Sequence, residues 1–214
     1  MASGTEKATR NGPHYRRGPS TAKILERPTI GGSLTVDAKK YELTEETMSH
    51  LGYVVLHRIR ALVDIPEIGV RAGDLGGWIE KEENLSHEGS CWIFDEAKAY
   101  GRAHILEEAL LRNKAEVLSH ATVSGDAVVE HSAVVSGNAW VSGEAVVSDD
   151  ALVFRNAWIY GKAKVCGNAF VFGEACVYGC SVVDGVAYIY GDSRIGGNVH
   201  LQGHTVNGGY TRLA

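Results

Sequence analysis

No stretch of this chain approaches the ~18 consecutive apolar residues of a membrane-spanning helix, which excludes that class. The opening residues, MASGTEKATRNGPHYRRGPS, contain no apolar core. No secretory signal is therefore expected there, and the protein is expected inside the cell when made. Cysteine is sparse: Cys91, Cys166, Cys176 and Cys180 form no CxxC pair and have no histidine cluster beside them. They read as reduced thiols rather than as metal ligands or a disulfide frame. No Gly-Lys-Ser/Thr follows the glycines at 73–77. Tight turns are the expectation for that stretch, ahead of a phosphate loop.

Glycine, by contrast, is abundant, at 26 residues against 4 prolines, and 44% of the chain is apolar, enough to bury a core. Charge is unevenly placed. Residues 1–33 carry six basic groups (Lys7, Arg10, Arg16, Arg17, Lys23, Arg27) and two acidic ones (Glu6, Glu26), a net of +4. With −5 overall, the remainder carries −9. Gly-Pro, Arg-Arg-Gly-Pro and Arg-Pro steps argue against a helix in this region. Residues 1–38 are read as a basic arm, either solvated or docking, with Arg10, Arg16, Arg17, Lys23 and Arg27 as its docking groups.

The body is governed by a period of six. From Ala97 through Ala175 every sixth residue is alanine, fourteen in succession, and the phase runs on through Ser181, Ala187, Ser193, Val199 and Thr205. Two residues later, from Ile105 to Leu201, all seventeen positions are Val, Ile or Leu. Two later again, from Gly125 to Gly209, twelve of fifteen are Gly, the exceptions being His131, Asp149 and Arg155. The unit is Ala-x-Val-x-Gly-Asn. Alternation places Ala and Val on one side of a strand of about four residues, and Gly-Asn suits a corner with positive φ. Strand and corner repeating without insertion describe a solenoid.

Like aromatics recur at a spacing of 18: Trp140 with Trp158, Tyr160 with Tyr178, Phe170 with Tyr188, and Phe154, Phe172 and Tyr190 in one file. That makes five pairs, against three at a spacing of 12, so three strands per coil are expected, with nearly seven coils in residues 91–210. Residues 39–90 leave the repeat phase. Their Val54, Val55, Leu56, Ile59, Leu62 and Val63 suggest one or two strands, read as a cap over the apolar, open-edged first coil. The expected fold class is therefore all-β. It is a single-stranded parallel β-helix at 91–214, a small β-rich cap at 39–90 and an extended arm at 1–38.

The small residue two before each aliphatic one resembles the hexapeptide-repeat proteins with a left-handed parallel β-helix. One departure is that the glycine stands one position later than in their usual pattern, as in Val171-Phe172-Gly173. Behind a leader containing Gly73-Asp74-Leu75-Gly76-Gly77-Trp78-Ile79 and Asn84-Leu85-Ser86, the sequence resembles YdcK-like and phage-borne hexapeptide proteins over about residues 39–214. Left-handedness is what that resemblance implies. A right-handed solenoid, as in bactofilin-like polymers, is the alternative.

Many hexapeptide-repeat proteins are acyltransferases with a catalytic His near a loop that breaks the coil. Here no residue is inserted between hexads from Ala97 to Leu213. His104 and His200 fall at outward strand positions, and His120, His131 and His204 at corners. They read as surface histidines without a base–orienter pair. Neither a zinc site nor any cofactor is expected, and an acidic body argues against nucleic acid as a partner.

The outward residues carry the functional signal. Face I holds Val134, Leu152, Phe170, Tyr188 and Val206 in one file, with Ser136, Phe154, Phe172 and Tyr190 beside it. Face II holds Trp140, Trp158, Tyr160 and Tyr178. Face III mixes Arg112, Glu130, Ser148, Lys164, Asp184 and Gln202 with aliphatics. Contiguous exposed apolar surface marks an interface. A homotrimer packed through its apolar faces is expected, docked through its arm on a larger protein assembly, as a non-catalytic structural or binding solenoid. The leader's resemblance implies a phage accessory or virion component. The alternatives are an acyl-CoA-dependent acyltransferase and an inhibitor or binding module directed at a host protein.

Overall fold

The computed structural model describes residues 39–208 and the backbone of a last strand, Tyr210–Leu213. They belong to one unit, Asp37–Ala214. From Trp92 to Val177 each hexad contributes a ladder strand of only two residues, such as Val128–Val129, Val134–Val135 and Trp140–Val141, because the corner consumes the rest of the unit. Successive hexads turn into three different sheets. Each strand pairs in parallel with the one 18 residues on: Val128 with Val146, Val134 with Leu152, Trp140 with Trp158. Two sheets have seven strands and the third has ten, three of which belong to the cap, so the solenoid has seven coils.

The coils are stitched by bonds from one to the next, for example from Val128 N–H to the Ala145 carbonyl (2.9 Å) and from Glu130 N–H to Val147 (3.0 Å). Every alanine of the fourteen is buried, as are the aliphatic residues two positions on through Val183. Ala on one inward site and Val, Ile or Leu on the other fill a narrow prism without voids. Where Ser181 and Ser193 replace Ala in the core, each hydroxyl donates to a carbonyl three residues back, Tyr178 and Tyr190, so neither is left unpaired.

Corners take positive φ, and the next coil crowds them. A Cβ on Gly137 would stand 2.6 Å from the Arg155 nitrogen. Non-glycine residues nevertheless occupy one corner of four consecutive coils: Asp95, Asn113, His131 and Asp149, all at φ 53 to 60. Each accepts a hydrogen bond from the corner N–H above it: Asn113 N–H to Asp95 (2.9 Å), His131 N–H to Asn113 (3.1 Å), Asp149 N–H to His131 Nδ1 (3.3 Å), Gly167 N–H to Asp149 (2.9 Å). A left-handed residue costs about 1–2 kcal/mol, and this ladder offsets it by satisfying donors the rungs leave over. Arg155, the third exception to glycine, places its guanidinium 5.8 Å over the Phe172 ring.

The repeat slips in the last coil. Tyr188 pairs with Thr205 and Arg194 with Tyr210, which are 17 and 16 residues on rather than 18. Val206 therefore pairs with Ile189 and packs against the core, instead of extending the outward file of face I. The left-handed corner falls at Gly208. Asn-Gly-Gly offers glycine at two successive positions, and the slip brings Val206 inward, where an apolar side chain is favoured.

The cap is a meander. β1 (Tyr41–His50) pairs antiparallel with β2 (Val54–Ala61), β2 with β3 (Leu75–Ile79), and β3 runs parallel to the first-coil strand Lys98–Ala99. It answers the downward-facing carbonyls of that coil on all three faces. Trp78 N–H reaches Ala97 (2.9 Å) and Ser86 N–H reaches Ile105 (2.9 Å). The buried Asn84 amide donates to Ala103 (2.9 Å), and the buried Lys40 ammonium donates to the Cys91 carbonyl (2.8 Å). The Gly76-Gly77 pair lies within a strand, not in the tight turns expected for 73–77. Bare backbone is needed there because a Cβ on Gly77 would lie 2.4 Å from Ile93 Cγ2 and 2.5 Å from the Ala97 carbonyl oxygen. Arg58 and the Trp78 indole both hold Glu96 (2.8 and 2.9 Å), which ties the hairpin to the first coil.

Two outcomes follow for stability. Gly77→Ala should destabilise the protein by about 1–3 kcal/mol, the usual cost of overpacking. Urea denaturation measures it, and an unchanged midpoint would rule out this seating of β3. The second concerns acid. Its bonds to Arg58 hold the Glu96 carboxyl below the ordinary value of 4.5. Its contribution is therefore full above that value and lost as pH falls through the lowered one. The parent should melt higher than Glu96→Gln at about pH 6, and the gap should narrow as pH falls below the ordinary carboxylate range.

Candidate functional site

The solenoid fixes its outward side chains in register, so each face is a rigid array. On face I, Val134, Leu152, Phe170 and Tyr188 stand on successive rungs. Phe170 and Tyr188 stack with centroids 4.9 Å apart. In the adjoining file Phe154 stacks on Phe172 at 4.8 Å, and Phe172 on Tyr190 at 5.3 Å. Tyr188 is 39% exposed and the other apolar residues here are half-buried by their neighbours. The lower end of the face is charged instead, with Lys98 and Glu116 in the file that continues as Val134.

Face II places Trp140 over Trp158 at 5.7 Å with the rings inclined by 51°, and both are 45% exposed. The Trp140 indole donates to Ser124 Oγ at 3.2 Å, which fixes its rotamer. Tyr160 and Tyr178 stack at 5.2 Å beside them. Tyr178 leans over Gly196, where a Cβ would meet its ring at 2.2 Å. The structure thus brings together the residues of each predicted file, with Val206 the exception. The arm residues Arg10, Arg16, Arg17, Lys23 and Arg27 lie outside the described residues.

The cap–coil junction holds a cluster whose members are far apart in the chain and carry no motif. His50, at the end of β1, sits 3.5 Å from Glu116 Oε2, and its ring meets Tyr100 edge-on at 5.1 Å. Glu116 also accepts from Tyr100 (3.1 Å) and from Lys98 (3.0 Å). Burial, followed by the Glu116 charge, pushes the Tyr100 phenol well above its ordinary range, so it is a donor at neutral pH. A His oriented by a carboxylate is the arrangement general acid–base chemistry uses, but His50 Nε2 is buried with no hydrogen-bond partner among the described residues, and Lys98 and Tyr100 hold the carboxylate instead. Two repeat histidines also face carboxylates, His131 with Asp149 at 3.3 Å and His200 with Asp184 at 4.0 Å, but on open surface.

A depression of about 550 Å³ on the cap is lined by Lys40, Asp64, Glu67, His87 and Glu108 among others. Two of its polar groups already serve the fold. His87 Nδ1 accepts the Lys40 N–H (3.1 Å) and its ring stacks on Tyr41 at 4.3 Å. Burial pushes both the His87 and the Lys40 pKa down, yet the Lys40 Nζ stays engaged with Gly89 and Cys91. All four cysteines are free thiols, and burial raises the pKa of Cys91, Cys166 and Cys176. Among the described residues no three of His, Cys, Asp and Glu converge as a metal-holding group.

With this geometry in view, two comparisons bear on the chain. A family model for the YdcK β-solenoid repeat matches residues 121–137, one near-complete coil with a strand from each of the three faces. The chain is also 41% identical over 76 residues to a protein of Escherichia coli (strain K12) named "Uncharacterized acetyltransferase YdcK". That match covers 31% of this chain and 22% of the relative, so it spans less than a quarter of the relative's length. The repeat, the seven stacked coils and these matches agree: this chain is a YdcK-like hexapeptide-repeat β-solenoid protein.

Proposed function

We propose that this chain is a binding solenoid, a rigid prism that trimerises through face I and presents face II to a partner. The observation that carries the reading is the continuous apolar ladder of face I, Val134, Leu152, Phe170 and Tyr188 flanked by Phe154, Phe172 and Tyr190. In a monomer that ladder would stay against water, whereas a second copy removes it at no like-charge cost, since these files carry no charge from Val134 to Tyr190. Three prisms meeting around one axis each bury the same face, which closes the assembly. The net +4 of residues 1–33 against an acidic body makes the arm, through Arg10, Arg16, Arg17, Lys23 and Arg27, the docking element toward a larger assembly.

Acyl transfer is the second reading. It is favoured by the relative's name and by the placement of a buried histidine, His50, beside Glu116 at the cap. A solenoid whose coils run from Cys91 to the slip near Thr205 without an inserted loop has to find its cleft elsewhere, at the cap or between copies.

Light scattering tests the first reading. The parent should have the mass of a trimer, and Phe170→Glu with Phe172→Glu should give a folded monomer, because two buried carboxylates per subunit would go unpaired. A monomeric parent would end the trimer reading. Calorimetry with acetyl-CoA tests the second. Binding heat that His50→Ala abolishes would favour acyl transfer, and no heat at saturating acetyl-CoA would count against it.

A further inference from the structure

The three faces share one backbone, one rung spacing and one core, so their outer chemistry can be compared directly. Face III carries both charge signs among its aliphatics, and face I is phenyl and aliphatic. Face II alone combines exposed indoles with hydroxyls and, from Thr122 up to Cys176, has no charged side chain. Its residues there are Thr122, Trp140 and Trp158 in one file, with Ser124, Ser142 and Tyr160 in the next. The body as a whole carries −9 outside residues 1–33, so a neutral band of this height is a local departure.

From this composition we infer that face II is a binding platform for a neutral polysaccharide. A pyranose ring presents an apolar C–H face and an equatorial rim of hydroxyls. The first matches an indole plane, and the second matches short hydroxyl side chains and indole N–H donors. The two tryptophans stand 5.7 Å apart with their planes inclined by 51°, so they are tilted against each other rather than stacked flat. Their 45% exposure leaves a large apolar area to cover. One indole is held by the bond from Trp140 to Ser124, while the Trp158 indole N–H meets no acceptor among the described residues and stays available to a ligand hydroxyl. Rigid sheet backbone beneath both rings means that little order is lost on binding. A neutral ligand also suits a neutral band on an acidic protein, where an anionic one would be repelled. The absence of charge in these two files favours a neutral sugar, and for a protein partner face I is the better match.

This inference rests on the reading that face II is the partner-facing side, and its test separates the two. Affinity electrophoresis of the full chain in gels containing laminarin, hydroxyethyl cellulose or galactomannan should show retardation by at least one of them. Alginate serves as the anionic control. Trp140→Ala and Trp158→Ala should each weaken the retardation roughly tenfold, one aromatic contact's worth, and Trp158→Tyr should restore part of it. Circular dichroism confirms the fold of each variant, and light scattering their mass. No retardation by any neutral polysaccharide overturns the proposal, as does retardation that persists in the double variant or occurs only with alginate. A change of oligomeric mass in the tryptophan variants would make face II the self-interface and overturn it too. If the parent is monomeric yet retarded, the trimer reading fails while the platform stands.

Discussion

A strand two residues long has almost no stability of its own. Each coil therefore depends on the backbone groups it exchanges with the coil 18 residues on. That dependence dictates the rest. The exchange requires constant register, constant register requires the same inward volume on every rung, and the alternation of Ala with Val, Ile or Leu supplies it. It also makes stability a sum of nearest-neighbour terms, so the ends are where the molecule is most exposed to fraying. The cap follows from this. The first coil has no coil beneath it, and its carbonyls are met instead by Trp78, Asn84, Ser86 and Lys40.

The leader residues that stood out in the sequence thus have a common role. Gly76 and Gly77 let β3 press against Ile59, Ile93 and the Ala97 carbonyl, Asn84 turns its side chain into a surrogate rung, and Leu85 bridges to Ile105. Gly76 and Gly77 thus serve as strand residues that need bare backbone. A buried asparagine whose amide bonds to the carbonyls of Gly101 and Ala103 is a device for ending a solenoid cleanly.

What could be read in advance tracks how local each constraint is. The coil, its three strands and the inward columns are repeated many times within a few residues, so periodicity exposes them. The polar corner ladder is visible only as a set of exceptions to glycine, and its meaning needs the residue 18 positions below. The slip at Val206 depends on a choice between two adjacent glycines that periodicity treats as equivalent. His50 and Glu116 are far apart in sequence, and they meet only because β1 is long enough to reach past the first coil. No pattern in one sequence encodes such a meeting, and for the same reason the functional surface is less legible than the fold.

The same reasoning locates function. Inward and corner positions are consumed by the requirement to stack, and substitution there is answered by cavity, clash or strain. The outward positions are spared that requirement, so their composition reflects something other than the fold. Three faces built on one scaffold nevertheless differ: mixed charge on one, phenyl ladders on another, exposed indoles with hydroxyls on the third. Had outward aromatics been there only to stiffen the rungs, a stacked pair would be as useful on any face and would be closed to solvent. Trp140 and Trp158 instead stand nearly half exposed, with the Trp140 indole pinned by Ser124. The scaffold holds both indoles in the solvent at a fixed separation, a feature that stacking of the coils does not require.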